Sequence, residues 1–314
     1  MADSKEAKAK NKAFFSDWLK YQFKEMRKNG GLYLFMLPYL LIFVTFTVLP
    51  VIVAVYFSFT YFNVLEPPQW TGFENYIRLF TADDLFMTAF KNTMFFAIII
   101  GPGGYLLSLF FAWLINELSR KARVIMTIFY YAPSLASALP IWKIIFSSDQ
   151  YGLLNGFLMN TGITYTNIKW LEDVNYIVPC CLFVILWGSL GTSFLTFIAG
   201  LQNVDRTLYE AGAIDGVKNR WQELWYITLP YMKPQLMFGA VMSITGAFSV
   251  GGAITSLVGY PSQDYVAHTL IHHMEDYANQ RMELGYACAI TVLLFLLQLV
   301  TNKIIKRLLS KVGE

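Results

Sequence analysis

The sequence predicts an all-α protein that crosses a membrane six times. Three observations predict it. Of its 314 residues, 56% are hydrophobic, against roughly 45–50% in an ordinary soluble domain. Only 14% are charged, and the aromatic share reaches 17%. The charges are also not spread evenly; they cluster between long uncharged stretches, as in a chain with many spans. Disorder and a nucleic-acid-binding domain do not fit this composition. Three cysteines, two of them the adjacent Cys180 and Cys181 in an apolar stretch, provide neither a disulfide framework nor a Cys-x-x-Cys metal knuckle.

Residues 1–30 form a tail expected to be cytoplasmic. Within it, Phe15, Trp18, Leu19, Phe23 and Met26 recur at helical spacing opposite Lys20, Lys24, Arg27 and Lys28 over residues 13–28. That is the pattern of a basic amphipathic helix lying on a membrane surface, and a solvated basic tail would look the same. The first apolar run starts too late and is too long for a cleavable signal.

A bilayer core about 30 Å thick needs about 20 apolar residues per helix. The charge-free runs are Leu32–Phe59, Asn92–Ile115, Val124–Phe146, Tyr176–Gly200, Leu236–Val258 and Gly285–Val300. Lys143 near the end of the third can snorkel to the interface. Helix breakers fall inside the first three: Pro38 and Pro50, then Gly101-Pro102-Gly103-Gly104, then Pro133 and Pro140. Such breaks are tolerated in lipid where protein or a wet cavity satisfies the freed backbone groups. The two tails with the second and fourth loops hold nineteen basic and ten acidic residues, net +9; the other loops hold five and eleven, net −6. The positive-inside rule therefore puts both termini and those two loops in the cytoplasm.

The fourth loop, residues 205–234, has its own helical pattern. Leu208, Ala211, Gly212, Ile214 and Asp215 fit one short helix that Gly216 would stop, and Ala213 adds a further small side chain. Trp221, Leu224, Trp225 and Thr228 fit a second helix leading through Pro230 into the fifth span. Small residues at the corner permit close approach to a partner groove; a loop folded back on its own core is the plainer alternative.

Glu210-Ala211-Gly212, three residues, Gly216, then Ile227-Thr228-Leu229-Pro230 resembles the EAA loop of membrane subunits of binding-protein-dependent ABC importers. Two departures stand out: Gly212 replaces the second Ala, and ten residues rather than about nine separate Gly216 from Ile227. Leu37-Pro38-Tyr39, the segment Trp70-Thr71-Gly72-Phe73-Glu74-Asn75-Tyr76, Lys91-Asn92-Thr93 and Gly285-Tyr286-Ala287 resemble the sugar-permease branch, the type akin to the larger maltose-importer membrane subunit. The likeness covers about residues 32–305. It implies a type I ABC importer permease fold over 31–305, with a core at about 88–303 and a short cytoplasmic tail at 306–314. It also implies partners: a second homologous permease subunit, two cytoplasmic ATPase subunits that hold ATP and Mg, and an external solute-binding protein. Residues 205–234 would be the coupling loop, with Glu210 and its neighbours Ala211, Gly212, Ala213 and Asp215 at the docking surface. Gly216 would form the turn, and Ile227, Leu229 and Pro230 would join the loop to the moving span.

Other chemistries are weaker. No G-x-x-x-x-G-K-[ST] loop is present, so this chain is not itself expected to hydrolyse ATP or to be an enzyme. An ion-coupled secondary transporter needs intramembrane ionisable residues, and apart from Lys143 the spans have none. His268 and His272 stand four apart beside His273, Glu275 and Asp276, but without H-E-x-x-H they read as a contact helix rather than a metal site. No cofactor is expected on this chain. A sugar needs aromatic faces and hydroxyls in a cavity, and Trp187, Ser243, Thr245 and Tyr286 are of suitable type and depth, though ordinary helix packing or interfacial anchoring is the plainer reading of each. The uncharged spans favour a neutral solute; an importer of another solute class is the alternative.

Overall fold

The structure is a computed structural model that describes residues 24, 25, 28–135 and 139–310. Most of the expected amphipathic segment 13–28, and the end of the C-terminal tail, lie outside the described residues. The chain divides into two units, residues 1–56 and 57–314.

The first unit carries α1, Gly30–Phe57, with a mean hydropathy of 2.6 and no buried residue. A helix apolar on every side must be surrounded by something apolar, as a membrane helix is. A π turn at Val44–Val48 precedes Pro50, which lacks an amide donor.

The second unit opens with a two-residue hairpin, β1 Thr60–Tyr61 antiparallel to β2 Gln69–Trp70, and the short helix α2, Glu74–Thr81. The 33-residue α3, Asp84–Asn116, follows; Asp83 caps it by accepting from the Phe86 amide at 3.0 Å. The Gly101–Gly104 run, expected as a break, does not interrupt α3. It is a packing notch instead: a Cβ on Gly104 would lie 2.7 Å from the Ser189 hydroxyl, and one on Gly103 3.1 Å from Leu186.

The expected third span holds α4 Arg120–Leu135 and α5 Leu139–Ile145, with 136–138 outside the description. After α6, Leu153–Asn160, the fourth span is α7 Val174–Gly188 plus α8 Thr192–Gln202, interrupted at Ser189–Gly191. The fourth loop holds α9 Arg206–Ile214 and α10 Arg220–Glu223, a π turn at Leu224–Thr228, and α11 Leu229–Tyr231. The fifth span is α12 Lys233–Phe248 plus α13 Gly251–Val258, bent by 45°. The short α14, Leu270–Glu275, leads to the 27-residue α15, Leu284–Ser310. Among the described residues, four helices are long and apolar enough to cross a membrane, five if the bent pair counts as one.

The second unit is organised around α3 and α12, which pack on each other, on α8 and, for α12, on α15. One buried cluster (Phe96, Ile100, Cys181, Val184, Ile244, Phe248) fills the middle. A second (Ala112, Phe194, Phe197, Leu201, Met232) lies toward the α9–α10 loop, and a third (Leu79, Phe86, Leu270, Tyr286) toward α14.

Candidate functional site

The loop between α8 and α12 is built from local signals. Asp205 caps α9 by accepting from the Thr207 amide at 3.0 Å, and Asn219 caps α10 through the Gln222 amide at 2.9 Å. Between them α9 ends in a Schellman turn. The Val217 amide donates to the Gly212 carbonyl (2.9 Å) and the Gly216 amide to that of Ala213 (3.3 Å), with Gly216 at φ +94°. Glu210, Ala211, Ala213 and Asp215 are exposed on this short helix, and Ile214 at its tip is 87% exposed. An apolar tip with an acidic neighbour, held up by a stiff turn, is suited to insertion into a partner.

Gly212 faces the other way. A Cβ there would lie 2.6 Å from Ile227 Cδ1, so the glycine makes room for Ile227 to close the loop against itself. Ile227 and Leu229 join the cluster beneath, beside Tyr209. Thr228 is buried and donates to the Glu223 carbonyl at 3.1 Å, so the Tyr209 hydroxyl donates to Thr228 at 2.9 Å. The π turn at Leu224–Thr228 fits one residue more than an α turn. It lies in the stretch where the sequence is one residue longer than the EAA pattern. The loop is also tied to α3: Trp113 and Trp221 have ring centroids 4.8 Å apart, and Arg220 meets Glu117 at 3.3 Å.

A cavity of about 650 Å³ lies where two interrupted helices converge. Gly188 and Ser189 flank the α7–α8 break and Ser249 and Val250 the α12–α13 bend, while Ser134 and Leu139 line it from α4 and α5. Irregular backbone at the break and the bend is what a cavity permits and lipid forbids. Trp187, Ser243 and Thr245 line it together; sequence reasoning missed Trp142 and Ser193, which line it too. Trp142 and Trp187 approach edge to face, with centroids 6.4 Å apart. Hydroxyl protons here are largely committed to the backbone. Thr245 donates to Val241 O (2.9 Å), Ser249 to Thr245 O (2.9 Å) and Ser193 to Gly239 O (3.0 Å), with Ser193 and Ser243 oxygens 3.1 Å apart. What these groups offer a solute is therefore acceptor oxygen and indole face. No charged side chain is among the described lining residues.

Tyr286 is not in that cavity. It is 2% exposed and donates to Asp83 at 2.7 Å, beneath the Arg78 guanidinium 4.4 Å from its ring centroid. Its depth in the sequence suggested the cavity, but its partners come from α2 and the start of α3, which no spacing reveals. The three histidines belong to the same polar core. Asp83 accepts from Tyr286, from Tyr277 (3.2 Å) and from His273 (2.9 Å), and His273 faces His268 across 3.3 Å. Burial alone would raise the Asp83 pKa; hydrogen bonds from His273 and Tyr286 reverse it and hold the carboxylate well below its usual range. Burial, with His273 and His272 beside it, pushes His268 down to about 4. His272 accepts from the Thr269 amide (3.1 Å) and donates to the Gly251 carbonyl (3.1 Å), so it is neutral and protonated at Nε2. Among the described residues no group of three His, Cys, Asp or Glu is arranged to hold a metal.

Residues 104–313 match the family described as binding-protein-dependent transport system inner membrane component. The chain is similar to the arabinooligosaccharides transport system permease protein AraP of Bacillus subtilis, 30% identical over 88% of each chain. It is as similar to the sn-glycerol-3-phosphate transport system permease protein UgpA of Escherichia coli, 30% identical over 85% of this chain and 90% of that one. The fold matches a chain in the crystal structure of a bacterial alginate ABC transporter in complex with alginate pentasaccharide-bound periplasmic protein. The TM-score is 0.76 at 22% identity, covering 93% of this chain and 98% of that one.

Proposed function

This chain belongs to the family of inner membrane components of binding-protein-dependent transport systems, and from that premise we propose that it is the permease subunit of an ATP-driven importer of a sugar or oligosaccharide. The observation that carries the sugar reading is the uncharged cavity, with two indoles and a ring of hydroxyls at the meeting of two interrupted helices. Sugars are held by aromatic faces and by hydrogen bonds to fixed polar groups, and this lining supplies both. The arabinooligosaccharide permease relative supports that solute class. The glycerol-3-phosphate relative favours a second reading, a phosphorylated solute, but no described lining residue offers a positive charge to meet a phosphate.

In this reading the chain spans the inner membrane six times, with α4 and α5 together as the third span and both termini cytoplasmic. It pairs with a second homologous permease to enclose the pathway. The α9–α10 loop docks on one of two ATPase subunits, which hold ATP and Mg, while an external binding protein delivers the solute. Glu210, Ala211, Ala213 and Asp215 present the docking face, Gly212 and Gly216 shape it, and Ile227, Leu229 and Pro230 pass its movement into α12. Trp187, Ser243 and Thr245 contact the solute.

Affinity purification of the tagged chain from detergent-solubilised native membranes tests the assembly. A second permease and an ATPase should co-purify, and the ligand of the accompanying binding protein names the cargo. A chain recovered alone or as a homo-oligomer, in detergents that preserve such complexes, overturns the importer reading. A phosphorylated ligand overturns the sugar reading alone.

A further inference from the structure

The helix α2, between the hairpin and α3, turns both polar and apolar side chains toward the protein and an apolar stripe outward. Asn75 donates to the carbonyls of Ser58 (3.0 Å) and Thr60 (2.9 Å), and Arg78 pairs with Glu283 at 2.5 Å. Leu79, 1% exposed, and the ring of Tyr76, packed on the same cluster, are the apolar groups on that side. Its outward side carries Phe73 at the N-cap, then Ile77 and Phe80, four and three residues apart and so on one stripe. They are 67%, 61% and 58% exposed. Glu74 is the charged side chain exposed beside the stripe, and no basic residue accompanies it, Arg78 being turned onto Glu283.

We propose that α2 lies in the outer headgroup region of the bilayer, with Phe73, Ile77 and Phe80 in the acyl boundary, so that lipid covers this face. Continuity with the lipid-facing surface selects the occupant. Only the non-helical Ala82 and Asp83 separate α2 from α3, an apolar helix long enough to cross the membrane, whose exposed face carries Asp84 and Lys91 near its start and Met87, Phe95 and Ile98 among and beyond them. The stripe extends that surface into the interface, where aromatic side chains concentrate. With no basic residue on its stripe, α2 holds by apolar insertion and needs no anionic lipid. The polar side then has a purpose: Asn75 fixes β1, and Arg78 fixes Glu283 just before α15, so α2 sets the depth at which α3 and α15 enter the membrane.

The test is nitroxide accessibility in the assembled complex, reconstituted into phosphatidylcholine vesicles. Ile77→Cys and Phe80→Cys are labelled singly, with Gln263→Cys in an exposed turn as the aqueous reference and the signal of the unsubstituted chain subtracted. At 77 and 80, collisions with oxygen should exceed those with a water-soluble nickel chelate, and the ratio should reverse at 263. Nickel excess at 77 and 80 would place α2 in water. Exclusion of both quenchers would mean that a protein, the second permease or the binding protein, covers the stripe. Either result overturns the proposal and leaves the importer reading untouched.

Discussion

Gly216 holds the turn of the α9–α10 loop at φ +94°, a conformation that costs an L-residue roughly 1–2 kcal/mol. Gly216→Ala should therefore loosen the loop while barely moving the thermal midpoint of the membrane helices; partner-stimulated ATP hydrolysis and midpoint, measured together, check this. Glu210 is exposed on α9 and bears no structural load, so Glu210→Lys should leave the chain folded yet weaken ATPase docking and separate hydrolysis from transport. Normal transport by that variant would remove Glu210 from the docking face. The histidines give a pH expectation. Burial lowers the His268 pKa from 6.5 to about 4, so the unfolded chain binds the extra proton first as pH falls. The stabilisation from neutral His268 is complete above about pH 6.5 and is lost as pH falls toward 4. Thermal unfolding between pH 7 and 4 should show it, and His268→Gln should flatten that dependence.

Among the elements, the loop's two fasteners to α3 differ in strength. Arg220 and Glu117 are both well exposed to solvent, and such a pair is worth at most about 1 kcal/mol. The Trp113–Trp221 contact adds about 0.5–1.5 kcal/mol to the area it buries. Trp221→Ala should thus impair coupling more than Arg220→Ala, measured as solute moved per ATP hydrolysed. What the sequence revealed at this scale follows from range. The Gly216 stop and the helical spacing on either side of it are local signals, so the helix–turn–helix was legible, while the Asp205 and Asn219 caps were added by the structure. The π turn was visible only as an odd spacing, and the contact of Ile227 with Gly212 needs the folded loop. The Gly101–Gly104 run looked like a break because glycine carries no sign of the Ser189 and Leu186 side chains that pack into it. Tyr286 looked like a pathway residue because Asp83, its partner, is 203 positions away.

On the scale of the whole chain, one helix joins the loop to the cavity. Leu229 and Pro230 lead into α12, whose 16 residues span about 24 Å at 1.5 Å per residue and end at the 45° bend beside Ser249. A displacement of the loop therefore reaches the cavity through one rigid element with a joint at its far end. This separates two classes of variant that a transport assay alone would merge. Trp187→Ala removes an indole face from the cavity but touches nothing in the loop. Losing such a contact costs about 1 kcal/mol, several-fold in the half-saturating solute concentration, because each 1.4 kcal/mol is tenfold. ATPase docking and basal hydrolysis should stay as they were. Glu210→Lys should do the reverse, lowering maximal transport at an unchanged half-saturating concentration. If Trp187→Ala lowers only the maximal rate, the indole positions α7 against its neighbours instead of holding solute, and the binding surface must lie elsewhere in the cavity.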